Sequence, residues 1–353
     1  MSASRLYTDA GVNIDAKARA LSALRDRIRA THGPEVLADV GHFGGLYALP
    51  GAGDTVLVAS VDGVGTKLKL ALALGTTAAH AGIGRDLVHH SVNDILCCGA
   101  KPHFFLDYLA LGQSDPEVIA AVVGGVADAC KALGIALIGG ETAELPGIYR
   151  AGDYDLAGCI VGSVARGDIL DGHAVRPGDI LLGLPSTGLH TNGYSLARAA
   201  FSLNDSPEAA RITLAELLPG TAQTLGAALL AEHRCYLPDL LPALNARLIT
   251  ALAHITGGGL IDNVPRILPA GCAARFDAAS WGVPPIFTAI QGRASVSDAE
   301  MYRVFNMGIG MVAVISPDAV ARVRSLIPHA LRVGEVVPRG DDAAVQIGAA
   351  VLR

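Results

Sequence analysis

Residues 55–67, TVLVASVDGVGTK, change character abruptly partway along. Thr55 to Val61 is a β-branched, aliphatic run, which predicts a strand because such side chains suit a pleated, half-buried surface. The run ends at Asp62 in a turn holding Gly63, Gly65, Thr66 and Lys67. Two glycines let backbone approach a ligand closely, and successive N–H groups followed by a lysine suit a phosphate. No Gly-Lys-Ser/Thr follows at Walker A spacing, and the glycines do not fit the dinucleotide fingerprint. Taken alone, such a turn is more often a plain strand-to-helix connection.

Working outward, the same alternation of strands and helices recurs. Leu21, Leu24 and Ile28 predict an amphipathic helix over 16–31. Ile83 to Cys97 fits a helix, His103 to Leu111 a strand, and Asp115 to Leu133 a helix with Asp115 as N-cap and Gly134 just past its end. A short strand is expected over Ile135–Ile138, stopping at Gly139-Gly140, and another over Tyr154–Val164. The polar, turn-rich segment 165–179 marks a domain boundary, dividing the chain into 1–170 and 171–353. Beyond it come a strand at Ile180–Leu184, a helix from Asn192, and a helix after the Thr256–Gly259 turn. Strands follow near 273–277 and 310–315, then a helix at 317–327 and strands near 333–337 and 344–347. The fold class is therefore α/β (α+β) in two domains.

Composition excludes several classes. Hydrophobic residues make up 51% of the 353 and charged residues 17%, which argues for a packed protein. Mean hydropathy is +0.42, yet no window approaches the ~18 uninterrupted apolar residues of a spanning helix. The segment 1–15 lacks the apolar core of a signal peptide, so a soluble, cytoplasmic protein is expected. Six cysteines with no C-x-x-C pair fit buried thiols in a reducing compartment. A net charge of −6 without a Lys/Arg cluster leaves no broad basic surface for nucleic acid.

Four further segments could carry chemistry. On the helix Ile83–Cys97, Asp86, His90, Asn93 and Asp94 share one face, and Asn-Asp is a poor helix-interior pair by propensity. A solvated polar face is the plainer reading. Gly139, Gly140, Glu141 and Thr142 follow a buried strand, placing a carboxylate where α/β sheets bind ligands. Asp62, Asp94 and Glu141 offer only oxygen, which suits Mg²⁺ shared with phosphates, unless they are three unrelated surface acids. Gly188, His190, Asn192 and Gly193 precede one helix, and His254, Thr256, Gly257, Gly258 and Gly259 precede another. Each turn could cradle an anion, and either histidine could act as acid or base near neutral pH.

These segments together resemble the phosphoribosylformylglycinamidine cyclo-ligase family, in the superfamily shared with selenophosphate synthetase and thiamine-monophosphate kinase. The resemblance begins at Tyr7–Val12 and runs through SVDGVGTK (60–67), Val92-Asn93-Asp94, FFLDY (104–108) and GGETAELPGIY (139–149). It continues through GLHTNGYS (188–195), HITGGGL (254–260) and EMYRVFNMGIGM (300–311). Each piece is weak alone, but all of them in one order are specific. This chain departs from the family at Asn13, at the string His89-His90-Ser91, and at Glu232-His233-Arg234-Cys235-Tyr236, where Glu-Pro-Thr-Arg-Ile-Tyr is expected.

The resemblance implies a homodimer whose N-terminal domains share an interface β-barrel. It also implies a nucleotide site in the N-terminal domain for ATP and Mg²⁺ (Mg2+ at Asp62, Asp94 and Glu141), with Gly63, Gly65, Thr66, Lys67, Asn93, Gly139, Gly140 and Thr142 around it. The ribose-phosphate substrate, formylglycinamidine ribonucleotide, would lie between the turns at Gly188–Ser195 and Thr256–Gly259. Of the two histidines, His254 is preferred for the proton lost at ring closure because its turn is denser in glycine. A selenophosphate synthetase is disfavoured because no Cys precedes Cys97, and an inactive nucleotide-binding scaffold has only the altered 232–236 segment in its support.

Overall fold

The computed structural model describes residues 14–39 and 41–348, so the expectations at Tyr7–Val12 and Asn13 lie outside the described residues. Helix α1 (Ile14–Arg29) precedes a five-stranded sheet built from β1 (Gly45–Ala48), β2 (Thr55–Gly63), β3 (Lys101–Leu111), β4 (Ala136–Glu144) and β5 (Tyr154–Ala165). Its order is β1-β2-β5-β3-β4; β3 and β4 run parallel and the other pairs antiparallel. Helix α2 (Leu68–Leu74) follows the β2 turn. Helices α3 (Thr77–Leu96) and α4 (Pro116–Leu133) then pack on one face of the sheet. Along β5 buried residues alternate with less buried ones, so the second face is left open.

The second sheet holds β6 (Ile180–Pro185), β7 (Ala251–His254), β8 (Cys272–Phe276), β9 (Ile309–Ile315), β10 (Leu331–Pro338) and β11 (Val345–Ile347). Its order is β11-β8-β10-β6-β9-β7. Interior strand β9 is buried at every position and reads as a continuous apolar run, IGMVAVI, rather than an alternating one. Short helices α5 (Tyr194–Ala200), α6 (Pro207–Ala215), α7 (Leu225–Leu229), α8 (Leu237–Asn245) and α9 (Gly259–Asn263) lie between strands of this half. Among the described residues no helix is long and apolar enough to cross a membrane.

Caps set several boundaries. Asp115 accepts from the backbone N–H groups of Glu117 (2.9 Å) and Val118 (3.3 Å), and Gly134 ends α4 in the left-handed region at φ 68°. Each such cap is worth about 1 kcal/mol. Helix α3 begins at Thr77 instead of Ile83, because the Thr76 side chain accepts from Ala79 N–H at 3.3 Å. Strand β4 does not stop at Gly139. It continues to Glu144 because β3 offers a parallel ladder pairing Leu106 with Gly139 and Leu111 with Glu144. Pairing outweighs the poor strand propensity of two glycines. His254 ends the fully buried strand β7, and the helix expected from Asn192 starts at Tyr194 after Gly193 (φ 79°).

Helices α3 and α4 cross backbone to backbone. A Cβ on Gly84 would collide with Val122 O, and one on Gly125 with Ala81 O, whereas one on Gly124 would meet nothing within 4 Å. Gly125→Ala should therefore destabilise the protein by about 1–3 kcal/mol. Gly124→Ala in the same turn should be neutral or stabilise by up to ~1 kcal/mol. Urea unfolding of the two variants measures the contrast; equal effects would mean that the helices are not in backbone contact.

Candidate active site

The open end of β2 faces the C-terminal part of α3, and the second half of the chain closes over both. Asp62 lies on the helix-covered face of the first sheet, in one row with Gly158, Asp107 and Gly140. Its Oδ2 stands 2.7 Å from His90 Nε2, and Asp94 Oδ2 stands 3.7 Å from the same nitrogen. Asp94 Oδ1 accepts from His254 Nδ1 at 2.8 Å, a contact between helix α3 and strand β7. His90, Asp94 and His254 are all buried.

A series of hydrogen bonds leads on from His90. Its Nδ1 is 2.6 Å from Thr191 Oγ1; that oxygen is 3.3 Å from His233 Nδ1; His233 Nε2 is 3.1 Å from His254 Nε2. One arrangement of protons satisfies the whole series. His90 Nδ1–H donates to Thr191, Thr191 O–H to His233 Nδ1, His233 Nε2–H to His254, and His254 Nδ1–H to Asp94. His190, in the left-handed region at φ 60°, stacks on His233 with ring centroids 4.0 Å apart, and its Nε2 accepts from Thr187 N–H at 3.3 Å. His190 Nδ1 is buried without a partner, and so is Asn192 Nδ2.

Electrostatics separates these imidazoles. Burial alone would lower His90, but the carboxylates of Asp62 and Asp94 push it up to about 9. Burial would raise the Asp62 carboxyl, yet His90 and the Gly63 N–H hold it at about 2. Burial drives His190 and His233 well below the ordinary imidazole value, helped by repulsion from His254. Burial also lowers His254, against the pull of its hydrogen bond to Asp94. The cluster therefore holds one imidazolium between two carboxylates, next to neutral rings.

Several expected residues take other places. Lys67 does not reach towards solvent. It is fully buried, 2.5 Å from Asp86 Oδ2, and it donates to Ala231 O at 2.7 Å. Asp86 Oδ1 accepts from His233 N–H at 2.7 Å. Burial raises the Asp86 carboxyl and the Lys67 charge opposes that rise. Asn93 is also committed: its Oδ1 accepts from Tyr236 N–H and its Nδ2 donates to Arg234 O, both at 2.8 Å. The polar face of α3 thus binds segment 232–236 instead of water.

Glu141 does not join Asp62. It lies in the row Gly63–Ala157–Tyr108–Glu141, on the opposite face of the sheet. Three strand spacings, about 14 Å, separate the two rows' ends. Within one chain, Gly139, Gly140, Glu141 and Thr142 therefore stand apart from the cluster, and a shared ion at Asp62, Asp94 and Glu141 is not formed. The preference for His254 over His190 also changes: both ring nitrogens of His254 are engaged, whereas His190 keeps one without a partner.

The remaining turns do converge. Gly65 and Thr66 are exposed, and Thr66 Oγ1 is 3.4 Å from Ser195 Oγ across the two halves. A Cβ on Gly257 would sit 3.2 Å from Asn192 Oδ1, so the turns containing Gly188–Gly193 and Thr256–Gly259 touch. Asn263 Nδ2 donates to the carbonyls of Thr256, Gly257 and Gly259, fixing the second turn. Helices α5 and α9 have only 7 and 5 residues, so these turns offer amides more than a helix dipole. Sequence reading passed over His233 and Thr191; the signal was there in the paired departures at 89–91 and 232–236, which meet at Thr191.

Comparisons with known proteins agree along the chain. The family model "AIR synthase related protein, N-terminal domain" matches residues 44–164, and "AIR synthase related protein, C-terminal domain" matches 176–346. A phosphoribosylformylglycinamidine cyclo-ligase from Desulfitobacterium hafniense (strain DSM 10664 / DCB-2) is 47% identical over 326 residues, covering 92% of this chain and 93% of that protein. The protein of the same name from Bifidobacterium animalis subsp. lactis (strain AD011) is 46% identical over 338 residues, covering 94% and 96%. A thiamine-monophosphate kinase structure from Stenotrophomonas maltophilia K279a is similar at TM-score 0.58 and 20% identity, covering 93% of this chain and 96% of that one. The structure described as AaThiL complexed with AMPPCP and TMP reaches TM-score 0.59 at 14% identity, covering 92% of each chain. At such identities the structures support the fold alone.

The Lys67–Asp86 pair gives a direct test of the site's architecture. Lys67→Met leaves a buried carboxylate without its charge and should cost about 3–5 kcal/mol in chemical denaturation. The double variant Lys67→Met/Asp86→Leu should recover much of that loss. A Lys67→Met variant of unchanged stability would mean that the lysine is free for another partner.

Proposed function

The chain belongs to the phosphoribosylformylglycinamidine cyclo-ligase family, ATP-dependent ligases, and from that premise we propose its reaction in full. Formylglycinamidine ribonucleotide and ATP give aminoimidazole ribonucleotide, ADP and phosphate. The formamide oxygen attacks the γ-phosphorus and ADP leaves. The amidine nitrogen then attacks the activated carbon, phosphate departs with the former formamide oxygen, and one proton is lost from nitrogen. The protein's part is positioning and charge neutralisation.

One observation carries this reading: His254 Nδ1 bonds Asp94 Oδ1 at 2.8 Å, tying the glycine turn of the second half to the acidic pair of the first. A site for two reacting partners needs both halves held in one register. Asp62 and Asp94 would hold the divalent cation of Mg-ATP, since both present oxygen beside the accessible turn at Gly65 and Thr66. When bound, such a cation would supply charge neutralisation at the phosphate oxygens. The substrate's own phosphate would lie against the amides between Gly188–Gly193 and Thr256–Gly259, with the unpartnered Asn192 Nδ2 as a donor. His190 Nδ1–H is the free donor for the formyl or phosphoryl oxygen, while His254 orients Asp94.

Coupled turnover tests the proposal. Aminoimidazole ribonucleotide and phosphate should appear one to one, and only with ATP and the formylglycinamidine substrate together. His190→Ala should lower kcat by about 10²-fold with the KM for ATP little changed. His254→Ala should impair both, because it releases Asp94. Hydrolysis of ATP without ring closure, or a His190→Ala enzyme of full kcat, would refute these roles.

We further infer that two copies pair through the open face of the first sheet. Val61 (71% exposed) and Tyr108 (40%) project from that face, and Ile138 (59%) stands where the register between β3 and β4 shifts. Apolar side chains in such a patch favour a partner surface. Light scattering should give twice 36.1 kDa, and Val61→Asp with Tyr108→Asp should halve it. A wild-type monomer at micromolar concentration would remove the inference.

A further inference from the structure

A polyanion held beside the Gly65-Thr66 turn needs cationic side chains within its reach. Lys67 is buried against Asp86, and His90 is paired with Asp62. The next cations along the two facing segments are Lys69 and Arg198. We propose that Lys69 and Arg198, one from each half of the chain, clamp a phosphate of the nucleotide, and that the Asp153 carboxylate holds the place until that phosphate arrives. The inference rests on the reading that ATP is the phosphoryl donor and names the side chains that hold it.

Geometry is the first support. Thr66 and Lys69 stand three residues apart where the chain turns into α2, and Ser195 and Arg198 stand three apart on α5, so each pair follows one helical face. The two hydroxyls meet at 3.4 Å across the halves, and each cation lies one turn further along its own helix. One carboxylate is common to both. Lys69 Nζ is 2.5 Å from Asp153 Oδ1, and the same carboxylate acts on Arg198, opposing the fall that burial imposes on the guanidinium.

Arg198 is the member of this group without a structural duty. It is half-buried, its Nε is enclosed without a partner, and it makes no hydrogen bond among the described residues. Asp153 satisfies Lys69 and leaves the guanidinium's fork of donors unfilled. A terminal phosphate has oxygens enough to accept from both cations. The backbone of Asp153 is fixed, since its N–H donates to Arg150 O and its carbonyl accepts from Gly112 N–H, both at 2.9 Å, so only its side chain need turn aside. Two cations against one carboxylate leave local positive charge in a protein whose net charge is −6.

The test is direct binding of the non-hydrolysed ATP analogue AMPPNP to the full-length protein with Mg²⁺, by calorimetry, with formylglycinamidine ribonucleotide as the second ligand. Arg198→Met removes no hydrogen bond and should melt with the wild type, yet bind AMPPNP about ten- to hundredfold more weakly, with the ribonucleotide little changed. Arg198→Lys keeps the charge without the fork and should recover part of the loss. Asp153→Asn should bind AMPPNP about two- to fivefold more tightly, since the competing ion pair is gone; a purely structural Asp153 would not produce that gain. Unchanged AMPPNP affinity in Arg198→Met, an equal loss for the ribonucleotide, or weaker AMPPNP binding in Asp153→Asn would overturn the clamp and leave the ring-closure reading intact. A wild-type protein that binds no AMPPNP would instead remove the reading on which the clamp rests.

Discussion

The buried ion pair of Lys67 and Asp86 is the interaction on which the rest of the molecule's centre depends. Neither charge reaches water, so each must be satisfied by the protein. Lys67 takes the carbonyl of Ala231 and Asp86 takes the N–H of His233, which draws segment 231–233 against helix α3. Asn93 continues the attachment by pairing with the backbone at Arg234 and Tyr236. The two halves of the chain are therefore joined by charged and amide groups that have no other outlet. Geometry in such a junction is demanding, because a partial loss leaves a polar group stranded in a low-dielectric interior.

On that junction rests a graded electrostatic field. Lys67–Asp86 lies deep; His90 between Asp62 and Asp94 lies nearer the opening; the exposed Gly65-Thr66 turn lies at the rim. Neutral His190 and His233 separate the inner pair from the outer one. The acidic pair Asp62 and Asp94 beside His90, with glycine turns across from them, forms a setting for Mg-bound polyanionic ligands in a protein whose overall charge is negative. The local arrangement, not the net charge, decides what can approach.

Much of this was legible in the sequence. The Thr55–Gly63 strand, the Asp115 cap and the shared face of Asp86, His90, Asn93 and Asp94 follow from side-chain shape and helical period. What the sequence leaves illegible lies where a residue's partner is far along the chain. Lys67 looks like a phosphate lysine until Asp86 and Ala231 are seen to hold it. Glu141 looks like a partner of Asp62 until β5 and β3 come between them and put the two on opposite faces. Gly139-Gly140 looks like the end of a strand until β3 pairs along it. His233 had no periodic or turn signal, and its contacts with Thr191, His190, His254 and Asp86 are what reveal its place.

Strand order in the first sheet has a consequence for how the chain is made. β5, the last of its five strands in sequence, lies at the centre, between β2 and β3. Until residue 165 has left the ribosome, β1–β2 and β3–β4 are two separate pairs with no common neighbour. Each would expose an unpaired inner edge. The non-local pairing of β2 with β5 delays closure, which places the aggregation-prone interval during synthesis rather than after it. A nascent chain of this topology has reason to be sheltered until β5 arrives, and completion of the sheet is then a single late event rather than a gradual accretion.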